Sequence, residues 1–323
     1  MMSPPIPSDP SRTSAQPQAL SAALSPALSR LAEHAFSPEE RLKFPLDAEH
    51  RARIVHAALE EDAADADVTT NATIDPGRGA RASLVARRSG IVCGTLLAIE
   101  AFRQRDPSIT IREDSHDARE VDHGDTILFL TGSARGILSA ERVALNFMQR
   151  LSGIATLTAQ YVHAVRGTNA RILDTRKTTP GWRRLERYAV RCGGGMSHRY
   201  DLEQAILIKD NHIAALGNDI ALAVKRARAT AVPGTRVEVE CDDVAQVAIA
   251  VDAGADIVML DNMGLQDMRE AVKIVAGRAV IEASGGVNLQ TVCGIAATGV
   301  NWISVGSLTH SAPALDLALD FEE

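Results

Sequence analysis

Between Asp174 and His212 the chain reads DTRKTTPGWRRLERYAVRCGGGMSHRYDLEQAILIKDNH. Eight basic residues fall in this stretch, Arg176, Lys177, Arg183, Arg184, Arg187, Arg191, Arg199 and Lys209, against the five acids Asp174, Glu186, Asp201, Glu203 and Asp210. The segment is therefore net positive inside a chain whose formal charge is -7. Such a contrast points to an anionic ligand. A solvated basic helix accounts for Arg183, Arg184, Arg187 and Arg191, which recur at helical spacing, but not for Arg176 with Lys177 or His198 with Arg199.

Further polar residues follow at the ends of short apolar runs. RILD ends at Asp174, AILI precedes Lys209, VEVE ends at Glu240, and DIVML precedes Asp261. AVIEA leads to Ser284, Gly285 and Gly286, and WISV leads to Gly306 and Ser307. Runs this short, rich in β-branched residues and separated by helical stretches such as DDVAQVAIAVDAGA and LQDMREAVKIVAG, read as buried parallel strands. Six such units predict a (β/α) barrel or an open doubly wound sheet. In a barrel, the C-terminal strand ends form one rim, where Thr175, Arg176, Lys177, Lys209, Glu240, Asp261, Ser284 to Gly286, Gly306 and Ser307 would meet.

Each member of that rim has its own chemistry. ASGGVN, expected between a strand and a helix, offers free amides and a helix dipole to a phosphate, and Gly306 with Ser307 repeats the pattern; either string also reads as a tight turn. Glu240 and Asp261 offer hard oxygens that suit Mg2+, and they could equally accept hydrogen bonds from ribose hydroxyls or pair with a buried arginine. Thr175, Thr178 and Thr179 shape the loop, His212 and His310 lie near the rim, and Gly193 to Gly195 read as a helix C-cap.

The elements that must position these groups divide the chain. Residues 1–43, rich in proline and serine without an apolar period, are expected to be a disordered arm, with a transit peptide as the competing reading. Residues 44–168 predict an α+β sandwich domain: a helix over 48–61, a turn through Asp75 to Gly77, strands in ARASLVAR and TILFLTGSA, then helices over 137–150 and 154–165. In SAERVALNFMQRLSGIAT, Leu145, Met148 and Leu151 make a packing stripe, which leaves Arg142 and Arg150 as surface residues. The barrel occupies 169–308, and residues 309–323 are expected as a helix that packs back on the N-terminal domain.

Composition excludes several classes. At 323 residues the chain can build two substantial cores, and 46% hydrophobic with 23% charged residues is ordinary for a globular protein. An acidic balance and only 3% aromatic residues argue against nucleic acid. No apolar run reaches the ~18 residues of a membrane span. Cys93, Cys192, Cys241 and Cys293 show no CxxC spacing, which suits reduced thiols in a cytoplasmic protein.

Seven strings in order, DTRKTTPG, CGGG followed by HR, LIKDNH, EVEC, MLDN, EASGG and ISVG, resemble the decarboxylating quinolinate phosphoribosyltransferases. The resemblance runs from about Leu46 to the C-terminus and departs from the family pattern at Trp182, Ser197 and Asp201. It implies an incomplete barrel with an additional strand, and a reaction of quinolinate with phosphoribosyl pyrophosphate that yields nicotinate mononucleotide, pyrophosphate and carbon dioxide in NAD biosynthesis. It assigns Arg176, Lys177, His198, Arg199 and Lys209 to the quinolinate carboxylates and the pyrophosphate, and Glu240 and Asp261 to the ribose side with Mg2+. The expected catalytic groups are Lys177, Lys209, Glu240 and Asp261. Arg142 is implied to reach in from a second subunit, so the enzyme would be a homodimer or larger. Three rivals stay open: a phosphoribosyltransferase for nicotinate or another acid, a Schiff-base aldolase using Lys209, and a non-catalytic binding protein on the same scaffold.

Overall fold

The computed structural model describes residues 42–322, so the arm expected over 1–43 lies almost wholly outside the described residues. The first helix, Ala48–Glu61, matches the expected span and starts at Asp47, whose carboxylate accepts from His50 N at 2.8 Å. An N-cap of this kind satisfies a main-chain donor that the helix itself leaves unpaired. A short helix, Val68–Thr73, and a third, Thr95–Arg105, follow, with strands β1 (Gly79–Ala86), β2 (Gly90–Ile91), β3 (Thr110–Glu113), β4 (Glu120–Val121) and β5 (Thr126–Ser133) among them. β1 pairs antiparallel with β5 and β5 with β3, while β2 and β4 form a separate ribbon.

One helix, Ala134–Ala164, runs where two were expected. The helix runs unbroken through Ser152 and Gly153, and the chain near Pro313 packs directly on Gly153: a Cβ there would lie 2.0 Å from the Pro313 carbonyl oxygen. Glycine here permits a close crossing.

The six expected parallel strands all form: β6 (Arg171–Leu173), β7 (Ile206–Ile208), β8 (Val237–Cys241), β9 (Ile257–Asp261), β10 (Val280–Ser284) and β11 (Trp302–Ser304). Their order is β6-β11-β10-β9-β8-β7, so the first strand pairs with the last and the sheet curls into a barrel. The gap lies between β6 and β7. There, Met196 makes a lone parallel bridge to Leu173, which is where the additional strand implied by the resemblance would fall.

Residues 309–323 correct the expectation of a terminal helix. After the turn Ser307–His310, the chain passes Pro313 and forms β12 (Leu317–Phe321), which pairs antiparallel with β1 on the edge of the N-terminal sheet. Proline interrupts a helix, and an open sheet edge offers the five-residue tail main-chain partners that a short isolated helix lacks.

The barrel interior is filled in layers. Leu173, Ile257, Val280 and Trp302, with Met196 against them, form an apolar plug separate from the main core. Strand periodicity then sends Glu238, Glu240, Met259, Asp261, Glu282, Ser284 and Ser304 to the same inner face, towards the C-terminal ends. Their neighbours Val239, Cys241, Val258, Leu260, Ile281 and Ala283 face the surrounding helices and belong to the main core. Among the described residues, no helix is long and apolar enough to cross a membrane.

Candidate active site

Above the plug opens a cleft of about 580 Å³, bordered by Arg176, Lys177, His198, Arg199, Lys209, Glu240, Asp261 and Ser284 to Gly286. Of the expected rim, Gly306 and Ser307 do not border it, and neither does this chain's Arg142, which the resemblance sends to a neighbouring subunit's cleft. Gly306 is one layer back: its backbone lies under the Lys177 side chain, so that a Cβ would stand 3.1 Å from Lys177 Cδ. Arg142 projects from the long helix, exposed, 3.8 Å from Glu141.

The cationic side is assembled from three segments. The loop after β6 carries Thr175, Arg176 and Lys177, and Thr175 Oγ1 accepts from Lys177 N at 3.1 Å. The helix Arg183–Cys192 follows, and it is not a solvated basic surface: Glu186 and Arg187 are buried in it. Arg187 Nε stands 3.1 Å from the buried Asp174 carboxylate, which also accepts from Ser197 Oγ and His198 N, both at 2.9 Å. Burial raises the Asp174 pKa, with Arg187 and these bonds opposing the shift. Asp174 and Arg187 thereby fix the segment that presents His198 and Arg199.

Gly193 to Gly195 do more than cap that helix. A Cβ on Gly193 would meet the Ala155 carbonyl at 2.3 Å, and one on Gly195 would meet Val190 Cγ1 at 2.7 Å. The glycines let the turn lie flat on the long helix. Arg199 donates from Nη1 to the Ala205 carbonyl at 3.0 Å, and burial lowers its pKa, with Arg176 adding to the effect. Arg176 Nε is buried and has no hydrogen-bond partner among the described residues.

On the opposite side, Lys209 Nζ pairs with Glu240 Oε2. His212, an open question in the sequence, is a capping residue: its Nδ1 accepts from Lys209 N at 3.0 Å, which fixes the backbone of that lysine. Asp261 Oδ2 accepts from Asn262 Nδ2 at 2.7 Å. Gly285 and Gly286 both have positive φ, 89° and 59°, and a Cβ on Gly285 would meet Asn262 Oδ1 at 2.2 Å. No side chain shields the amides of these two glycines, so an anion can approach this backbone closely. The helix beyond begins only at Val292 and has five residues, so the amides of this loop, and not the expected helix dipole, are what it offers an anion.

At the floor stand two carboxylates that do not lie at strand ends. Glu238 and Glu282 are buried, 3.2 and 3.3 Å from His198 Nε2. Glu282 Oε1 accepts from Ser304 Oγ at 2.5 Å, and its Oε2 has no hydrogen-bond partner among the described residues. Burial alone would lower the His198 pKa, but Glu282 and Glu238 outweigh it and hold it up at about 11. The Arg199 N–H donates to His198 Nδ1 at 2.8 Å, which favours the neutral ring instead. The carboxylates prevail, since one neutral hydrogen bond contributes about 1 kcal/mol and buried anions lacking a counter-charge cost several. Alternation in VEVE and VIEAS is the signal the sequence carries for them: Glu238 shares a face with Glu240, and Glu282 with Ser284.

The chain matches the family models described as quinolinate phosphoribosyl transferase, N-terminal domain, over residues 67–152, and C-terminal domain, over residues 154–320. It is 42% identical over 260 residues to a probable nicotinate-nucleotide pyrophosphorylase [carboxylating] of Bacillus subtilis, covering 80% of this chain and 89% of that one.

The chain belongs to the quinolinate phosphoribosyltransferase family. A second relative, quinolinate phosphoribosyltransferase [decarboxylating] 1b of Nicotiana tabacum, is 40% identical, covering 83% of this chain and 81% of the other. The solved nicotinate-nucleotide pyrophosphorylase of Francisella tularensis superposes with a TM-score of 0.80 at 40% identity, covering 86% of this chain and 98% of that one. Human nicotinic acid phosphoribosyltransferase, at 12% identity and a TM-score of 0.51, shares the fold alone. Within the family's barrel, the cleft gathers most of the residues that the resemblance assigned to substrates.

Proposed function

We propose that this member of the family transfers the phosphoribosyl group of phosphoribosyl pyrophosphate to the ring nitrogen of quinolinate and releases carbon dioxide, giving nicotinate mononucleotide and pyrophosphate. One observation carries the reading: Arg176, Lys177, Arg199 and Lys209 converge on one cleft that Glu240, Asp261 and the Gly285–Gly286 loop also line. Quinolinate brings two carboxylates and its co-substrate brings phosphates, and arginine matches carboxylates bidentately. Arg176 Nε, buried and unpaired among the described residues, is directed to one of them. The clamp orients the ring nitrogen towards the anomeric carbon. Lys177 supports the departing pyrophosphate, and Glu240 and Asp261 stabilise positive charge on the ribose. The pyridinium formed stabilises the electron pair left on the ring carbon when the adjacent carboxylate departs as carbon dioxide, and that carbon then takes up a proton from water to give the product. The nitrogen lone pair needs no general base.

Glu240 and Asp261 fit Mg2+, since they are hard oxygen donors at neighbouring strand ends beside a phosphate-accepting loop. Bound there, the ion would neutralise pyrophosphate charge. Arg142 stands outside its own chain's cleft, so we propose a homodimer in which it completes the neighbour's clamp. The test offers quinolinate or nicotinate with phosphoribosyl pyrophosphate and Mg2+, following pyrophosphate and labelled carbon dioxide. Equal release of both from quinolinate alone is expected. Turnover of nicotinate without quinolinate would remove the two-carboxylate clamp, and silence with both would return the aldolase and binding-protein readings.

A further inference from the structure

Arg150 reads in the sequence as a surface residue of a packing helix, and in the structure it is nothing of the kind. Its Nη2 stands 2.7 Å from the carboxylate of Glu186, a fully buried side chain. The same carboxylate accepts from Thr179 N at 3.0 Å and from Thr179 Oγ1 at 2.8 Å. Arg150 also donates to the Thr309 carbonyl and, at 3.2 Å, to that of Ala312. Thr309 then donates its hydroxyl to the Lys177 carbonyl at 2.7 Å. Since Lys177 and Thr179 lie in one loop, these bonds form a closed circuit.

The circuit touches no atom that borders the cleft except through the backbone of Lys177. Its cost is a desolvated ion pair, which commonly stabilises a fold no better than apolar residues of the same volume would. What it supplies is placement. It ties the loop 175–181 and the turn 306–312 to the long helix, the same helix that carries Arg142 about two turns before Arg150. Trp182 seals the end of the loop by stacking on Phe147 of that helix, with ring centroids 5.3 Å apart.

We propose that Glu186, Arg150 and Thr309 are positioning residues that set Lys177 for the leaving pyrophosphate, a role that rests on the proposed substrates. Thr309→Val, which keeps the volume and removes the donor to the Lys177 carbonyl, should lower kcat/KM for phosphoribosyl pyrophosphate roughly tenfold. The same variant should weaken binding of inorganic pyrophosphate with Mg2+, read by calorimetry, by a similar factor. Thr309→Ser restores the hydroxyl and should recover most of both. Packing alone predicts the reverse order, because serine lacks the methyl group that valine retains. Glu186→Gln should show the valine pattern, with melting followed in parallel to confirm a folded protein. Wild-type behaviour in Thr309→Val, or a serine variant no better than valine, overturns the proposal. A wild-type enzyme that binds pyrophosphate without consuming quinolinate sinks the substrate reading instead, and the pyrophosphate affinities of the variants still decide the role of the circuit.

Discussion

The two sheets of this protein treat polar residues in opposite ways. In the N-terminal sheet, β1 turns Ala82 and Leu84 into the core and leaves Arg81 exposed and Ser83 partly so, the arrangement expected of a sheet with one wet face. In the barrel, β8 sends Val237, Val239 and Cys241 outward into a wholly apolar layer and keeps Glu238 and Glu240 inside. Outward is dry and inward is charged. The difference teaches where each half puts its free energy: the N-terminal sheet supplies stability through burial, while the barrel interior holds ionisable groups, paired with His198 and Lys209, at a desolvation cost that suits a binding site better than a stabilising core.

Breaking the barrel's inner face should abolish function and spare the fold. Lys209→Ala removes a cleft cation and leaves Glu240 unpaired, and kcat/KM should fall about 100- to 1000-fold, with far-UV dichroism unchanged. Survival of activity within tenfold would take Lys209 out of the reaction. Substitution on the other sheet should do the converse. Leu84 is fully buried in β1, so Leu84→Ala should cost about 3 kcal/mol in denaturant unfolding. The activity of the protein that remains folded should stay within about twofold.

Within the cleft, Arg199→Ala should raise the quinolinate requirement roughly tenfold, the scale of one charge-assisted bond, and move that for phosphoribosyl pyrophosphate far less. An unchanged quinolinate affinity removes Arg199 from the clamp. The smallest effect concerns stability and pH. His198 is held at about 11, above its ordinary value of 6.5, by Glu282 and Glu238 against the effect of burial. Its contribution is therefore complete below about pH 6.5 and is lost as pH rises through about 11. Stability should decline between those limits, and Glu282→Gln should flatten the decline and lower the His198 titration seen by NMR. A slope identical in wild type and variant would show that Glu282 does not govern His198.

Much of this site is legible in the residues alone. Lys209, Glu240, Asp261 and Ser284 stand out because each ends or directly follows a short apolar run, and a barrel collects such ends on one rim. Glu238 and Glu282 escape that reasoning because they sit inside those runs, where alternation shows that they share a face with Glu240 and Ser284 but not that the face encloses a cleft. Arg150 misleads for a related reason. Helical spacing places it off the apolar stripe, and its partner Glu186 lies in a different element, so nothing local could bring the two together.

The sequence by itself determined what local chemistry determines: the six parallel strands, the first helix, the anion-seeking loop and the family. Those follow from periodicity and residue type, which act over a few positions. Only the tertiary structure decided the closure of β11 on β6, the unbroken helix across Gly153, the final strand β12 on β1, and the buried circuit through Arg150 and Glu186. Each of these depends on a partner distant in sequence. A buried charge or an open sheet edge is satisfied by whatever the fold brings next to it.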